Sequence, residues 1–198
     1  MEYHAIVSVL VITLTFFGYV PYIWDILKGK TKPHAFTWFV VAVTAFVAYA
    51  LQLLGGAGVG AWPMLTVAVI CIVVFLLSLW RGTRDITKSD IVLFILSLVA
   101  LFLWLVVKQP VLSVILITVS EVLAFVPTIR KSWSEPYSET LSLYEISAVR
   151  HGLSILALQQ INLLTALYPA AWSLTNVVIS TVLLLRRKRV APEPLANS

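Results

Sequence analysis

Long apolar runs, broken by short polar links, recur from one end of the chain to the other. A helix of about 20 apolar residues crosses the hydrocarbon core of a bilayer. By that measure seven runs qualify: Ala5–Ile26, Ala35–Leu54, Ala61–Trp80, Ile91–Val107, Val111–Ile129, Leu141–Leu163 and Pro169–Leu185. Gly55–Gly60 is a glycine-rich turn between the second and third. Lys108-Gln109-Pro110 is the shortest break, where a charge and a proline favour a tight turn over one continuous helix. The first run has no basic leader before it and no small-residue cleavage site after it, so it reads as a span and not a removable signal. The sixth run is the most polar, and with the fifth it holds Glu121, Pro127, Arg150 and His151.

Composition agrees with the pattern. Of 198 residues, 60% are hydrophobic and 12% charged, with a mean hydropathy of +0.97; soluble domains carry roughly 25% charged residues. The chain is therefore expected to be an all-α, multi-pass membrane protein of a bacterial inner or plasma membrane, with the lipid bilayer as its first partner. The single Cys71 excludes a disulfide framework and a cysteine metal site. Scattered histidines make no metal site, and no phosphate loop, HExxH or nucleophile elbow is present, so neither a cofactor nor an enzyme activity is expected.

The net charge of +5 has a topological explanation that needs no nucleic acid. With seven spans, every Lys and Arg except Lys108 and Arg150 falls on one side, following spans one, three, five and seven. The positive-inside rule then puts the N-terminus outside and the C-terminus in the cytoplasm. Merging spans four and five would spoil this segregation. Binding of anionic lipid is the second reading of Arg186–Arg189.

An offset of 106 residues aligns the chain with itself. Val20-Pro21 falls on Val126-Pro127, Trp38 on Tyr144, Trp62-Pro63 on Tyr168-Pro169, and Arg81 on Arg187. Two proline registers at one offset require the intervening loops to keep their length. The expected organisation is a first three-helix bundle at 1–80, a linker helix at about 91–107 within 81–110, a second three-helix bundle at 111–189, and a tail at 190–198. One inserted span makes the two copies parallel, and transporters built from repeats bind substrate near the midplane between halves.

This 3+1+3 outline, with a proline near the cytoplasmic end of each first helix, resembles the SWEET and PQ-loop superfamily over about residues 5–189. The Pro-Gln of that family stands here as Pro21-Tyr22 and Pro127-Thr128. The resemblance implies a transporter working by alternating access, with Pro21 and Pro127 as hinges. It also implies a pocket asparagine on the third helix of each bundle. Asn176 matches in the second half, whereas the first half has Ile70 at that position. The nicotinamide-riboside transporters of the PnuC type resemble the outline too.

Depth selects the candidate residues. At about 1.5 Å rise per residue, Glu121 lies about 12 Å, Arg150 about 13–14 Å and Asn176 about 15 Å from the cytoplasmic ends of their spans. All three reach the middle of a core roughly 30 Å thick. The repeat-mates of Glu121 and Arg150 are Thr15 and Thr44, and that of His151 is Ala45. Ionisable residues at this depth normally have partners and functions. Glu121 and Arg150 are expected to face each other, either as a structural clamp or as part of a solute or proton path. His151, one residue on, is expected to point about 100° away from Arg150. The substrate-binding set is Glu121, Arg150, His151 and Asn176, for a small polar solute that is sugar-like, zwitterionic or nucleoside-like. The alternative is a receptor or sorting protein on the same fold. A homo-oligomer is compatible with either. Trp38, Trp62, Tyr144 and Tyr168 read first as interfacial anchors; Trp172, toward the outer face, reads first as an anchor and second as a ring that stacks on a ring-shaped substrate. Gln159, Gln160 and Asn162 read as an outer vestibule or as helix-end solvation.

Overall fold

The computed structural model describes residues 2–29, 33, 35–82, 88–124, 126–134, 136–137 and 141–189, with the backbone alone at 89, 90, 93, 124, 126–128 and 131. The described secondary structure is entirely helical. It comprises α1 (Glu2–Leu27), α2 (Ala35–Leu54), a 3₁₀ turn (Gly58–Ala61), α3 (Trp62–Arg81), α4 (Lys88–Leu105), α5 (Pro110–Ala124), α6 (Val126–Ser134), α7 (Leu141–Leu156) and α8 (Leu163–Arg187). Among the described residues four segments are long and apolar enough to cross a membrane: Glu2–Leu27, Ala35–Leu54, Gly58–Arg81 and Leu163–Arg187. Phe94–Leu105 and Pro110–Leu123 are shorter apolar helices. The chain is thus a helical, membrane-embedded protein. The proposed tail at 190–198 lies outside the described residues.

The second half departs from the sequence expectation. The run Val111–Ile129 is described as α5 and α6, and Phe125 between them lies outside the described residues. The run Leu141–Leu163 ends as a helix at Leu156, and α8 begins at Leu163 instead of Pro169. The cause is a cap that hydropathy does not register. The Asn162 side chain accepts from the Leu164 and Thr165 backbone N–H groups, at 3.0 and 3.3 Å, and the Thr165 hydroxyl accepts from the Asn162 N–H at 3.0 Å. These bonds satisfy donors that a helix N-terminus otherwise leaves open.

Pro169 therefore sits inside α8. A proline there has no N–H for the carbonyl four residues earlier, which is that of Thr165. That carbonyl accepts instead from Gln52 Nε2 of α2, at 3.1 Å. Pro63, 106 residues earlier, lies in the first turn of α3, and the carbonyl four residues before it belongs to Val59. It accepts from Ser8 Oγ of α1, at 2.9 Å. A neighbouring helix thus bonds the carbonyl four residues before each of these prolines; that of Thr165 is left open by Pro169, whereas that of Val59 also accepts from the Trp62 N–H.

α3 packs against both α1 and α2, and α8 packs against α5, α6 and α7. α4 lies against α2 and α5, while α1–α7, α2–α5 and α2–α8 contacts join the two groups. Small residues allow close approach where lipid offers no hydrophobic drive. Ala42, Ala45 and Ala48 of α2 share a buried cluster with Ala68 and Cys71 of α3. On α7, Ala148 and Gly152 face Ser173 of α8, whose hydroxyl donates to the Ala148 carbonyl at 2.9 Å. Large apolar side chains such as Val9, Phe17, Phe46, Leu76, Phe102 and Leu174 stay exposed, as a lipid-facing surface requires.

The two ends of the molecule differ in character. At one, Lys28 lies over the Trp24 ring, Arg81 over Trp80 and Arg186 over Trp133, with centroid distances of 5.0, 4.2 and 4.9 Å. These pairs combine an aromatic belt with basic anchors. At the other end the 55–61 segment meets the 157–162 segment. Asn162 Nδ2 donates to the Gly55 carbonyl at 2.7 Å, and the Gln159 N–H donates to the Ala57 carbonyl at 3.1 Å. Gly60 lies so close to Ala157 and Leu158 that an added Cβ would stand 2.4 Å from the Ala157 carbonyl oxygen. We call these the basic end and the clasp end. Asn162→Ala removes both the cap and the Gly55 bond. It is expected to lower unfolding free energy in detergent by about 1–2 kcal/mol, read from a thermal melt against wild type.

Candidate functional site

Glu121 lies on α5, facing α8. Tyr168 and Trp172 are four residues apart on α8 and so share one face. The Tyr168 hydroxyl donates to Glu121 Oε2 at 2.6 Å, and the Trp172 indole N–H donates to the same oxygen at 3.1 Å. Glu121 Oε1 is buried and has no hydrogen-bond partner. The Thr44 hydroxyl of α2 lies beside the carboxylate, with its proton directed to the Val40 and Val41 carbonyls at 3.1 Å. One oxygen is therefore fixed by two donors, and the other is held in place with its lone pairs unused.

The expected Glu121–Arg150 pair is not formed, which corrects the structural-clamp reading. Glu121 is occupied by Tyr168 and Trp172, and Arg150 turns to its neighbour on α7. Arg150 Nη2 meets His151 Nε2 at 2.7 Å. This contact also corrects the expectation that the two side chains diverge, because the arginine side chain is long enough to reach its sequence neighbour. A guanidinium can only donate, so His151 Nε2 accepts and the imidazole carries its proton on Nδ1. Its ring stacks on Trp172, with centroids 6.0 Å apart and planes inclined by 19°. The polar groups form a chain: Arg150, His151, Trp172, Glu121, Tyr168. Aromatic rings stand between the two charges.

From the first group of helices, Tyr19 of α1 and Cys71 of α3 face each other and lie within electrostatic reach of both Glu121 and Arg150. The polar layer is thus built from α1, α2, α3, α5, α7 and α8. Toward the clasp end it opens into a cavity of about 10 Å³, room for roughly one water. Gln52, Pro63 and Met64 line it from one group, and Arg150, His151 and Tyr168 from the other. Gln52 Oε1 is buried there without a partner.

No protein-family model, no curated protein and no solved structure matches the chain. The site must be judged on its own geometry.

That geometry brings together Glu121, Arg150 and His151, and leaves out Asn176. Asn176 is buried, but its Nδ2 donates to the Trp172 carbonyl one turn back, at 2.7 Å. Pro21 lies within a continuous α1. Pro127 lies within α6, and its side chain is outside the described residues. Tyr168 and Trp172, expected as interfacial anchors, are the groups that hold Glu121. Trp38 packs against Tyr19 and Tyr22, and Tyr144 is buried against Ile179 and Leu183. Trp62 alone of the five candidate anchors is largely exposed. Gln159 and Asn162 belong to the clasp, not to a vestibule. The sequence signal that could have identified Tyr168 and Trp172 is their i, i+4 spacing on the span that faces Glu121.

Proposed function

We propose that the chain is a transporter of a small polar solute. It comprises two parallel bundles, α1–α3 and α5–α8, joined by α4, and works by alternating access around the Glu121 layer. The carrying observation is the free, buried Oε1 of a carboxylate fixed by Tyr168 and Trp172 at the seam between the groups. A structural carboxylate would use both oxygens, because an unpaired buried acceptor costs about 1–3 kcal/mol. An oxygen held ready for an arriving donor accounts for that cost.

The distribution of contacts supports the same reading. Toward the clasp end, buried clusters cross the seam: Val7 and Val11 with Ala157, and Ala57 and Ala61 with Leu158. Toward the basic end each group packs on itself, Ile26 with Ile70 and Val74, and Tyr144 with Ile179 and Leu183. Such a molecule is sealed at the clasp end and can part at the basic end. By the positive-inside rule the basic end is cytoplasmic, so this is an inward-facing or occluded state. The third helix of each group lies against its other members, in keeping with the resemblance to the SWEET and PQ-loop superfamily. Asn176, engaged by its own helix, argues against a sugar pocket of that family's kind.

Reconstitution into proteoliposomes tests the proposal. Wild-type protein is expected to accumulate a labelled polar solute from a mixed panel, and Arg150→Ala to lose that uptake. Empty-liposome rates for every solute in the panel would refute it.

A further inference from the structure

We infer that the solute is a zwitterion, with a cationic amine received by Glu121 and a carboxylate received by Arg150; this deepens the transport reading and rests on it. Both charges lie at the seam, and neither neutralises the other. Glu121 Oε2 is engaged by two neutral donors and Oε1 by none. Among the described residues Arg150 has no carboxylate partner; it meets a neutral imidazole and lines the cavity. Removing a partner from a buried charge is strongly destabilising, so a protein that keeps two opposite charges apart at one seam is incomplete without something between them. A cation alone would compensate Glu121 and leave Arg150 uncompensated. An anion alone would do the reverse. A neutral sugar or nucleoside would compensate neither. Only a solute bearing both charges offsets both.

The surroundings fit the two ends. An ammonium presents several N–H donors and needs acceptors. Beside the carboxylate stands the Thr44 hydroxyl, whose proton goes to its own helix and whose oxygen can accept. A carboxylate needs donors in a fork, which a guanidinium presents in fixed geometry. The Arg150 bond to His151 uses Nη2 and leaves the rest of the fork. The stacked Trp172 and His151 rings fill the space between the charges in this state; once the two groups part at the basic end, they offer an apolar wall for the part of the solute that joins its two ends.

A thermal-shift series on the full-length protein in detergent, paired with proteoliposome uptake of the same compounds, tests the inference. The probes are L-glutamine, L-leucine and γ-aminobutyrate, their methyl esters, their N-acetyl derivatives, glucose and uridine. At least one free amino acid is expected to raise the melting midpoint by about 3 °C or more and to be taken up. Its ester and its N-acetyl form should do neither. Glu121→Gln and Arg150→Gln should each abolish the shift while melting as single folded species. Equal shifts from ester and free acid would overturn the inference. So would a shift and uptake confined to glucose or uridine, which would leave transport itself standing. Amino-acid shifts without any uptake would uphold the ligand class and refute transport. No shift and no uptake from any compound would refute both.

Discussion

Gly60→Ala is expected to destabilise the protein by about 1–3 kcal/mol, the usual cost of forcing atoms into a filled contact. The new methyl would stand 2.4 Å from the Ala157 carbonyl oxygen and 2.6 Å from Leu158 Cα. Both are backbone atoms, so no rotamer change relieves the overlap. The 55–61 and 157–162 segments must separate, which strains the Gln159–Ala57 and Asn162–Gly55 bonds. Gly18→Ala is the control of opposite sign. A Cβ there meets nothing within 4 Å, and replacing a mid-helix glycine by alanine stabilises by about 0.5–1 kcal/mol. Thermal melts in one detergent decide the matter. Equal midpoints for the two variants would show that the clasp is not in place.

Glu121 separates folding from function in a second pair of variants. Glu121→Leu leaves the Tyr168 hydroxyl and the Trp172 indole N–H buried without an acceptor. At about 1–3 kcal/mol for each orphaned donor, the loss is expected to reach about 2–6 kcal/mol. Glu121→Gln keeps a carbonyl oxygen where Oε2 stood, so both donors remain satisfied and the melt should stay close to wild type. The amide nitrogen then replaces Oε1, and an acceptor becomes a donor. Loss of a hydrogen bond to a charged group is worth about 1.5–3 kcal/mol, so uptake should fall by about tenfold or more. Melts and initial uptake rates on the same preparations give the answer. A Gln variant as unstable as the Leu variant would make Glu121 a structural residue only.

The hydropathy pattern was enough to read most helices, because spans need little more than length and apolarity. It located α2 to the residue and α1 and α3 closely. It failed at Asn162, where two side-chain bonds start α8 more than a turn before the apolar run that contains Pro169. Capping is a local polar event inside a polar link, and hydropathy averages over it. The registers of Pro63 and Pro169 were legible, but the bonds that neighbouring helices make to the Val59 and Thr165 carbonyls were not. Those bonds depend on Ser8 and Gln52, which are remote in sequence. At the site, depth along the helices placed Glu121 and Arg150 in one layer and could say nothing of their azimuth. Opposite charges at equal depth suggested a pair, and only the packing of α8 between them shows that Tyr168, Trp172 and His151 intervene. Asn176 failed for a related reason: depth does not reveal that an amide is engaged by its own helix.

Uptake by a protein whose clasp can be locked tests the alternating-access account most directly. The Gln159–Ala57 backbone bond at 3.1 Å brings these residues within reach of a disulfide, whose Cα atoms lie about 4.4–6.8 Å apart. With the buried Cys71 left in place, the Ala57→Cys and Gln159→Cys pair is expected to support uptake when reduced, to lose it when oxidised, and to regain it on reduction. The same rate of uptake with the disulfide closed and open would contradict the account.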